Sequence, residues 1–461
     1  MSVREEDAGV VGADRKGIFG WMMFDWAAQP FHTLIITFVF APYFVSQVAE
    51  TPVKGQEIWG YATGLGGLAI AFMAPILGAI ADTTGPRKPW ILFFSILGII
   101  GCWLLWFSPP GSANISLIIF ALILALIGME FAAVFNNAMM PDLVPRSRLG
   151  RLSGSAWALG YVGGIISLII VLGFMAGEPS TGKTLLGIVP LFGLDSATYE
   201  GSRASGPLTA IWFLIFVLPM FLFTPDIPRR VSAKGAVVRG LRNLGQTLRS
   251  LPGQKSYFSY LISSMLYRDG LNALYAFGGI YAAGVLGWSI TQIGVFGILA
   301  ALTGVIGAYF GGQIDDRLGP KKVVSTSIVV LAACCIVIVS TSPNEVLFMT
   351  VGSADAASSL PDIVFYVAGC FIGAAGGALQ AASRTLLVDQ VPSEKVTEAF
   401  GLYALSGKAT TFIGPLLIAQ ATGIFASQRL GITPVILLLV LGLLLLPFVS
   451  SKRAESAGPD R

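Results

Sequence analysis

Apolar runs of membrane-spanning length recur along almost the whole chain, and that recurrence leaves few folds open. They lie at about 18–45, 58–81, 90–107, 115–139, 152–176 and 208–224, and again at 257–284, 291–314, 323–341, 363–387, 398–424 and 432–450. A helix needs roughly 20 predominantly apolar residues to cross the hydrocarbon core of a bilayer. In lipid the backbone must satisfy its own polar groups, so runs of this kind become helices. The chain is therefore read as an all-α integral membrane protein with about twelve transmembrane helices, spans 1 to 12, in two six-helix bundles. The bundles cover 18–224 and 257–450, with a polar tail at 1–17, a basic linker at 225–256 and a second tail at 451–461.

Composition enters here for what it excludes. Only 12% of the residues are charged, against roughly 25% in soluble domains. The net charge of +4 is no sign of nucleic-acid binding, because the cations gather at span ends. Cys102, Cys334, Cys335 and Cys370 all fall inside apolar runs, in no disulfide or metal-binding spacing. With His32 the single histidine, no His-based metal site or relay is expected. A Walker loop, a dinucleotide fingerprint and the common hydrolase motifs are missing. No cofactor, no metal and no enzymatic activity are expected.

One segment repeats. Gly78-Ala-Ile-Ala-Asp82-Thr-Thr-Gly85-Pro86-Arg87-Lys88 returns 234 residues later as Gly312-Gln-Ile-Asp-Asp316-Arg-Leu-Gly319-Pro320-Lys321-Lys322. A second pair of markers, Asp142-Leu-Val-Pro145 and Asp389-Gln-Val-Pro392, ends spans 4 and 10. Duplicated six-helix halves related by an axis along the membrane normal are one known way to build a transporter. Lys and Arg concentrate in cytoplasmic loops. With the N-terminus cytoplasmic, 22 cations fall inside and only Lys54, Lys183, Arg203 and Arg429 fall outside. Both termini are thus expected on the cytoplasmic side. Residues 236–251 of the linker can form an amphipathic helix or a plain basic loop, and the outer loop 177–207 suggests no function.

The repeated Gly-x-x-x-Asp-x-x-Gly-x-[Arg/Lys]-[Arg/Lys] turn in a six-plus-six layout resembles the major facilitator superfamily. A narrower resemblance rests on Trp21-Met-Met-Phe-Asp25-Trp, Phe135-Asn136-Asn137, Gly150-Arg-Leu-Ser153-Gly154, Leu266-Tyr267-Arg268-Asp269-Gly270, Leu379-Gln380-Ala-Ala-Ser383-Arg384 and Phe400-Gly401-Leu-Tyr403 with Gly407-Lys408. Together these look like the vacuolar effluxer-like branch and its bacterial relatives, the unidentified major facilitator group. The chain departs from that pattern at Ala27-Ala28-Gln29-Pro30. The resemblance implies a secondary transporter working by alternating access, with spans 1, 4, 7 and 10 lining the cavity. It also implies a small, amino-acid-like polar solute, with export slightly favoured.

Ionisable groups inside spans are functional candidates by default. Here they are Asp25 and His32 in span 1, Glu130 in span 4, Arg268 and Asp269 in span 7, Arg384 and Asp389 in span 10, and Lys408 in span 11. Asp25, Gln29 and His32 stand at i, i+4 and i+7, on one helix face. They can bind a cation or a proton; otherwise Asp25 is a cap near Lys16 and His32 a packing residue. Glu130 has no ionisable neighbour in sequence and can carry a proton. Arg268 and Asp269 are adjacent and need separate partners, Asp25 or Glu130 for the arginine, Lys408 or Arg384 for the aspartate. A static set of ion pairs is the competing reading. Arg384, with Gln380 one turn earlier and Ser383 beside it, can fork onto a carboxylate or phosphate, or pair with Asp389. Asn136 and Asn137 supply neutral donors at the matching place in span 4.

The repeated turns read as latches. Asp82 is expected near a helix N-terminus, where the dipole favours an anion, and Arg87 or Lys88 beside Asp142. Asp316 and Lys321 or Lys322 are expected to act likewise toward span 5 and Asp389. The partners expected are a small solute, the bilayer of a bacterial inner membrane and protons, with the chain acting as a monomer. Two alternatives stay open: a carrier of drug-like or anionic metabolites, and a receptor or membrane enzyme built on the same fold.

Overall fold

The computed structural model describes residues 13–84, 86–144, 149–226, 249, 253–351, 359–390, 402–403, 406–407 and 410–450. The proposed helix at 236–251 falls outside them except for Arg249, and Gly85 and Lys408 fall outside as well. Among the described residues eight helices are long and apolar enough to cross a membrane: Arg15–Val48, Lys88–Phe107, Ile115–Asn137, Glu200–Phe223, Ile290–Asp315, Pro320–Val339, Leu360–Asp389 and Gln428–Phe448. At the remaining expected positions the chain is helical over Pro52–Thr84, Leu149–Ile170, Lys255–Val285 and Ile413–Phe425. A two-stranded hairpin, Glu345–Val346 with Met349–Thr350, follows span 9.

The chain divides into two compact units, Met1–Ala41 with Ala69–Leu244, and Pro42–Leu68 with Gly245–Arg461. The end of span 1 and the first half of span 2 therefore group with the second half of the sequence.

In the first unit, span 1 is an α-helix over Arg15–Pro30 and a π-helix over Phe31–Phe38. Asp14 caps it, its carboxylate accepting from Gly17 N at 2.7 Å. The change of winding begins where Pro30 offers no N–H to the carbonyl four residues earlier. That carbonyl, of Trp26, accepts instead from Trp212 Nε1 at 3.0 Å, and the two indoles stack. A proline that would leave a polar atom bare in lipid is thus compensated from span 6.

The helix ends are fastened by a rule that the sequence did not announce. Each helix leaves unpaired carbonyls at its C-terminus, where the macrodipole favours a cation. Span 3 starts with Lys88, whose Nζ donates to Phe221 O at the end of span 6, 2.8 Å away. Span 6 starts with Arg203, whose Nε donates to Trp106 O at the end of span 3, 3.0 Å away. The second unit repeats the arrangement. Lys321 Nζ donates to Val449 O at 2.7 Å, and Arg429 Nε to Val339 O at 3.1 Å, which ties spans 9 and 12 reciprocally. Asp226 completes the N-terminus of span 3 by accepting from Arg87 N and Lys88 N, at 2.9 and 3.0 Å. Gly319 sits at φ 84° between spans 8 and 9, a conformation open to glycine and strained for other residues.

Close backbone approach sets the remaining packing, as is common between helices in lipid. A Cβ at Gly307 would lie 2.1 Å from Ala374 O, and one at Gly373 would lie 2.1 Å from Ala300 O. Spans 8 and 10 therefore meet along a seam that admits no side chain. Within the second unit, Gly60 of span 2 faces Pro415 O and Ala419 of span 11, each 2.9 Å from a Cβ there. The fully buried Gln56 donates to Thr422 Oγ1 at 2.8 Å, and Gln428 Nε2 donates to Pro52 O at 3.0 Å and Gln56 Oε1 at 3.3 Å.

Candidate functional site

Span 1 is not buried all round: Phe19 is exposed, and Trp26, Thr33 and Thr37 are half-buried. Ile18, Met22, Asp25, Gln29, His32 and Ile36 are only half-buried, and together they form one stripe at helical spacing. Three polar side chains in six positions do not suit lipid, where such groups face water or protein. The Asp25 carboxylate has no hydrogen-bond or ion-pair partner among the described residues, and its backbone passes close to Gly160 of span 5. Gln29 Nε2 lies 3.5 Å from Thr33 Oγ1. The His32 ring meets Phe31 edge-on and its carbonyl accepts from Thr37 Oγ1 at 2.8 Å, a bond made in the π-helical turn. His32 also takes part in a further contact.

Span 4 separates the two asparagines. Asn137 is exposed and lies two turns from the half-buried Glu130, on the same face. Asn136 is completely buried and neither atom of its amide has a partner among the described residues, while its carbonyl accepts from Trp21 Nε1 at 2.7 Å. The pair expected as neutral donors thus contributes one accessible amide, Asn137. Glu130 is not isolated as its sequence neighbours suggested, since it takes part in a polar or electrostatic contact.

In the second unit Arg268 finds its partner in span 11, where no carboxylate was needed. Its Nη1 donates to Tyr403 O at 3.0 Å and its guanidinium lies 4.0 Å above the Tyr403 ring. A Cβ at Gly407 would lie 2.3 Å from Arg268 Nη2, so that glycine makes room for the guanidinium. Asp269 turns away into the protein, 3% exposed, with Oδ1 unpartnered among the described residues and Thr410 within hydrogen-bond reach. Arg268 and Asp269 therefore serve two different neighbours, as adjacent helical positions must.

Span 10 divides the polar group expected there. Ser383 is fully buried and faces span 7: its hydroxyl pairs with Tyr267 OH at 2.8 Å, and its carbonyl accepts from Tyr260 OH at 2.5 Å. Gln380 and Arg384 are half-buried one turn apart, and neither has a hydrogen-bond or ion-pair partner among the described residues. Asp389 is half-buried and engaged in a contact. The tyrosine cluster of Tyr260, Tyr267 and Tyr403 escaped the sequence reading, because buried hydroxyls carry no charge to mark them in an apolar run.

At the repeated turns, Arg87 Nη1 lies 2.5 Å from Asp142 Oδ2. Gly78, Asp82 and Asp316 lie in helices, and the side chains of the two aspartates fall outside the described set. Gly312 has nothing within 4 Å of the place a Cβ would occupy, and Lys322 is exposed.

The relatives of this chain are membrane transporters of the major facilitator kind, and so is the chain. Residues 52–458 match the model of the family described as vacuole effluxer Atg22-like, and the chain belongs to that family. It is 26% identical over 449 residues to YxiO of Bacillus subtilis, an MFS-type transporter, with 96% of each chain covered. It is 25% identical to the multidrug resistance protein MdtG of Citrobacter koseri over 82% of each. Among solved structures, a bacterial homologue of the human lysosomal transporter Spinster, in an inward-facing conformation, aligns with TM-score 0.66 at 14% identity, over 95% of this chain and 98% of that one.

Proposed function

We propose that this transporter exports a small, amino-acid-like polar solute by alternating access, coupled to protons. In this reading twelve spans cross a bacterial inner membrane, both termini are cytoplasmic, and the chain works as a monomer. The observation that carries it is the stripe of span 1. An aspartate with no partner among the described residues, an amide and an imidazole share a face of that helix that is not buried, which suits a water-filled path that binds a cation or a proton. Asn137 and Glu130 on span 4, and Gln380 and Arg384 on span 10, extend the polar lining within their own units. Arg268 and Asp269 hold span 7 against span 11. The turns with Gly78, Asp82, Gly85, Arg87 and Lys88, and with Gly312, Asp316, Gly319, Lys321 and Lys322, act with Asp142 and Asp389 as gates. The Arg87–Asp142 pair then favours one access state.

A second reading, an anionic metabolite as cargo, is supported by the half-buried guanidinium of Arg384, which has no hydrogen-bond or ion-pair partner among the described residues. The two separate in a thermal-shift screen of the purified protein, because a ligand that binds only the folded state raises apparent stability. Neutral amino acids should stabilise the wild type, and Asp25→Asn should lose that shift. Stabilisation by organic acids alone, lost in Arg384→Gln, replaces the first reading with the second.

A further inference from the structure

Opposite the Gly78–Lys88 turn, spans 3, 5 and 6 of the first unit end around a cavity of 620 Å³. Trp103, Trp106, Phe174, Leu191, Phe192 and Ile211 are among its walls, and among the described residues no charged side chain lines it. The volume is that of a ligand site, about 300–1,000 Å³, yet it lacks the few convergent polar groups that orient a polar ligand. We propose that this groove binds one acyl chain of a membrane phospholipid, with the lipid phosphate beside Arg203.

Two features argue for lipid rather than for cargo. The groove opens onto exposed apolar surface: Trp103 is 48% exposed, Ile211 45% and Phe192 86%. The loop above carries Leu185, Leu186 and Val189, all exposed, so the apolar surface runs from the spans onto the loop. Phe192 is held at φ 60°, a left-handed conformation uncommon for a bulky residue, and its ring is turned outward. The rim supplies the polar complement. Arg203 precedes the lining residue Ala204, and its guanidinium stands 4.6 Å above the Trp106 ring. Its Nε is committed to Trp106 O, and Nη1 lies 3.9 Å from Glu200 Oε1. The fork of five donors keeps others for a phosphate, and tryptophans at span ends mark the headgroup level.

Native mass spectrometry of the detergent-purified protein tests this directly. The expected spectrum shows one phospholipid adduct per chain on most molecules. Filling the groove with Ala204→Phe and Leu208→Trp should reduce the adduct at least fivefold, while Leu222→Trp, at a position 71% exposed near the other end of span 6, leaves it intact. A bare wild-type spectrum, an equal adduct in the filled variant, or an adduct that is not a lipid overturns the proposal. If the filled variant does not fold, delipidated wild-type protein is titrated with brominated-chain phosphatidylcholine. Tryptophan quenching should saturate near one lipid per chain, and Trp103→Phe combined with Trp106→Phe should remove most of it; quenching that never saturates, or that the double variant leaves unchanged, contradicts the site.

Discussion

The two copies of the repeated turn solve one problem identically and another differently. In both units a lysine at the start of the third helix reaches the last carbonyls of the sixth, and an arginine at the start of the sixth returns the contact. Joining of the helix ends next to the turn is another matter. In the first unit it is ionic: Arg87 pairs with Asp142, and Asp226 caps span 3. In the second it includes a neutral knot, with Ser256 donating to Gln390 Oε1 at 2.5 Å and Gln390 Nε2 to Ser450 O at 2.9 Å. An unsatisfied C-terminal carbonyl near lipid has few remedies, so the cation recurs. Fastening polar ends that reach water has many, so its chemistry is free to vary.

Removing the shared cations should have the largest effect on stability. Lys88→Met and Lys321→Met each delete a charged donor to a carbonyl, worth about 1.5–3 kcal/mol. Both should lower the thermal midpoint in detergent by similar amounts. A drop in only one of them would break the equivalence of the two units. Arg203→Met and Arg429→Met should follow the same pattern at the opposite ends of these helices.

Smaller and more discriminating is Asp142→Asn. Asp142 is 43% exposed and Arg87 12%, so solvent screens the pair and the loss should be about 1 kcal/mol or less. That loss should shrink further as salt rises toward 1 M, where the Debye length falls to about 3 Å. Of similar size, Gln390→Leu should cost about 0.5–1.5 kcal/mol with no salt dependence. A salt-sensitive Gln390→Leu would erase the contrast between the Arg87–Asp142 pair and the Gln390 contacts.

Much of this architecture could be read in the sequence, for physical reasons. Hydropathy reports burial in lipid directly, so the eight candidate spans among the described residues and the duplicated turn were legible from composition and spacing alone. The stripe of Asp25, Gln29 and His32 was legible because helical periodicity fixes which residues share a face. Side-chain direction across helices was not. Asn136 and Asn137 are neighbours in sequence, yet one is sealed in the protein and the other is exposed. Ser383 adjoins Arg384 but serves two tyrosines of span 7. Arg268 chose a tyrosine carbonyl and ring over a carboxylate, a partner that no count of charges reveals. The Gln56–Thr422–Gln428 cluster joins residues more than 360 positions apart, and neutral amides near the ends of apolar runs give no signal of pairing.

The central claim is that the face of span 1 with Asp25, Gln29 and His32 carries the coupled step. Solute flux driven by a proton gradient in proteoliposomes tests it most directly, with wild type compared with Asp25→Asn. The account predicts that the substitution reduces gradient-driven flux at least about a hundredfold, close to 3 kcal/mol in transition-state terms, with the folded protein recovered in normal yield. Flux and proton dependence indistinguishable from wild type would contradict it.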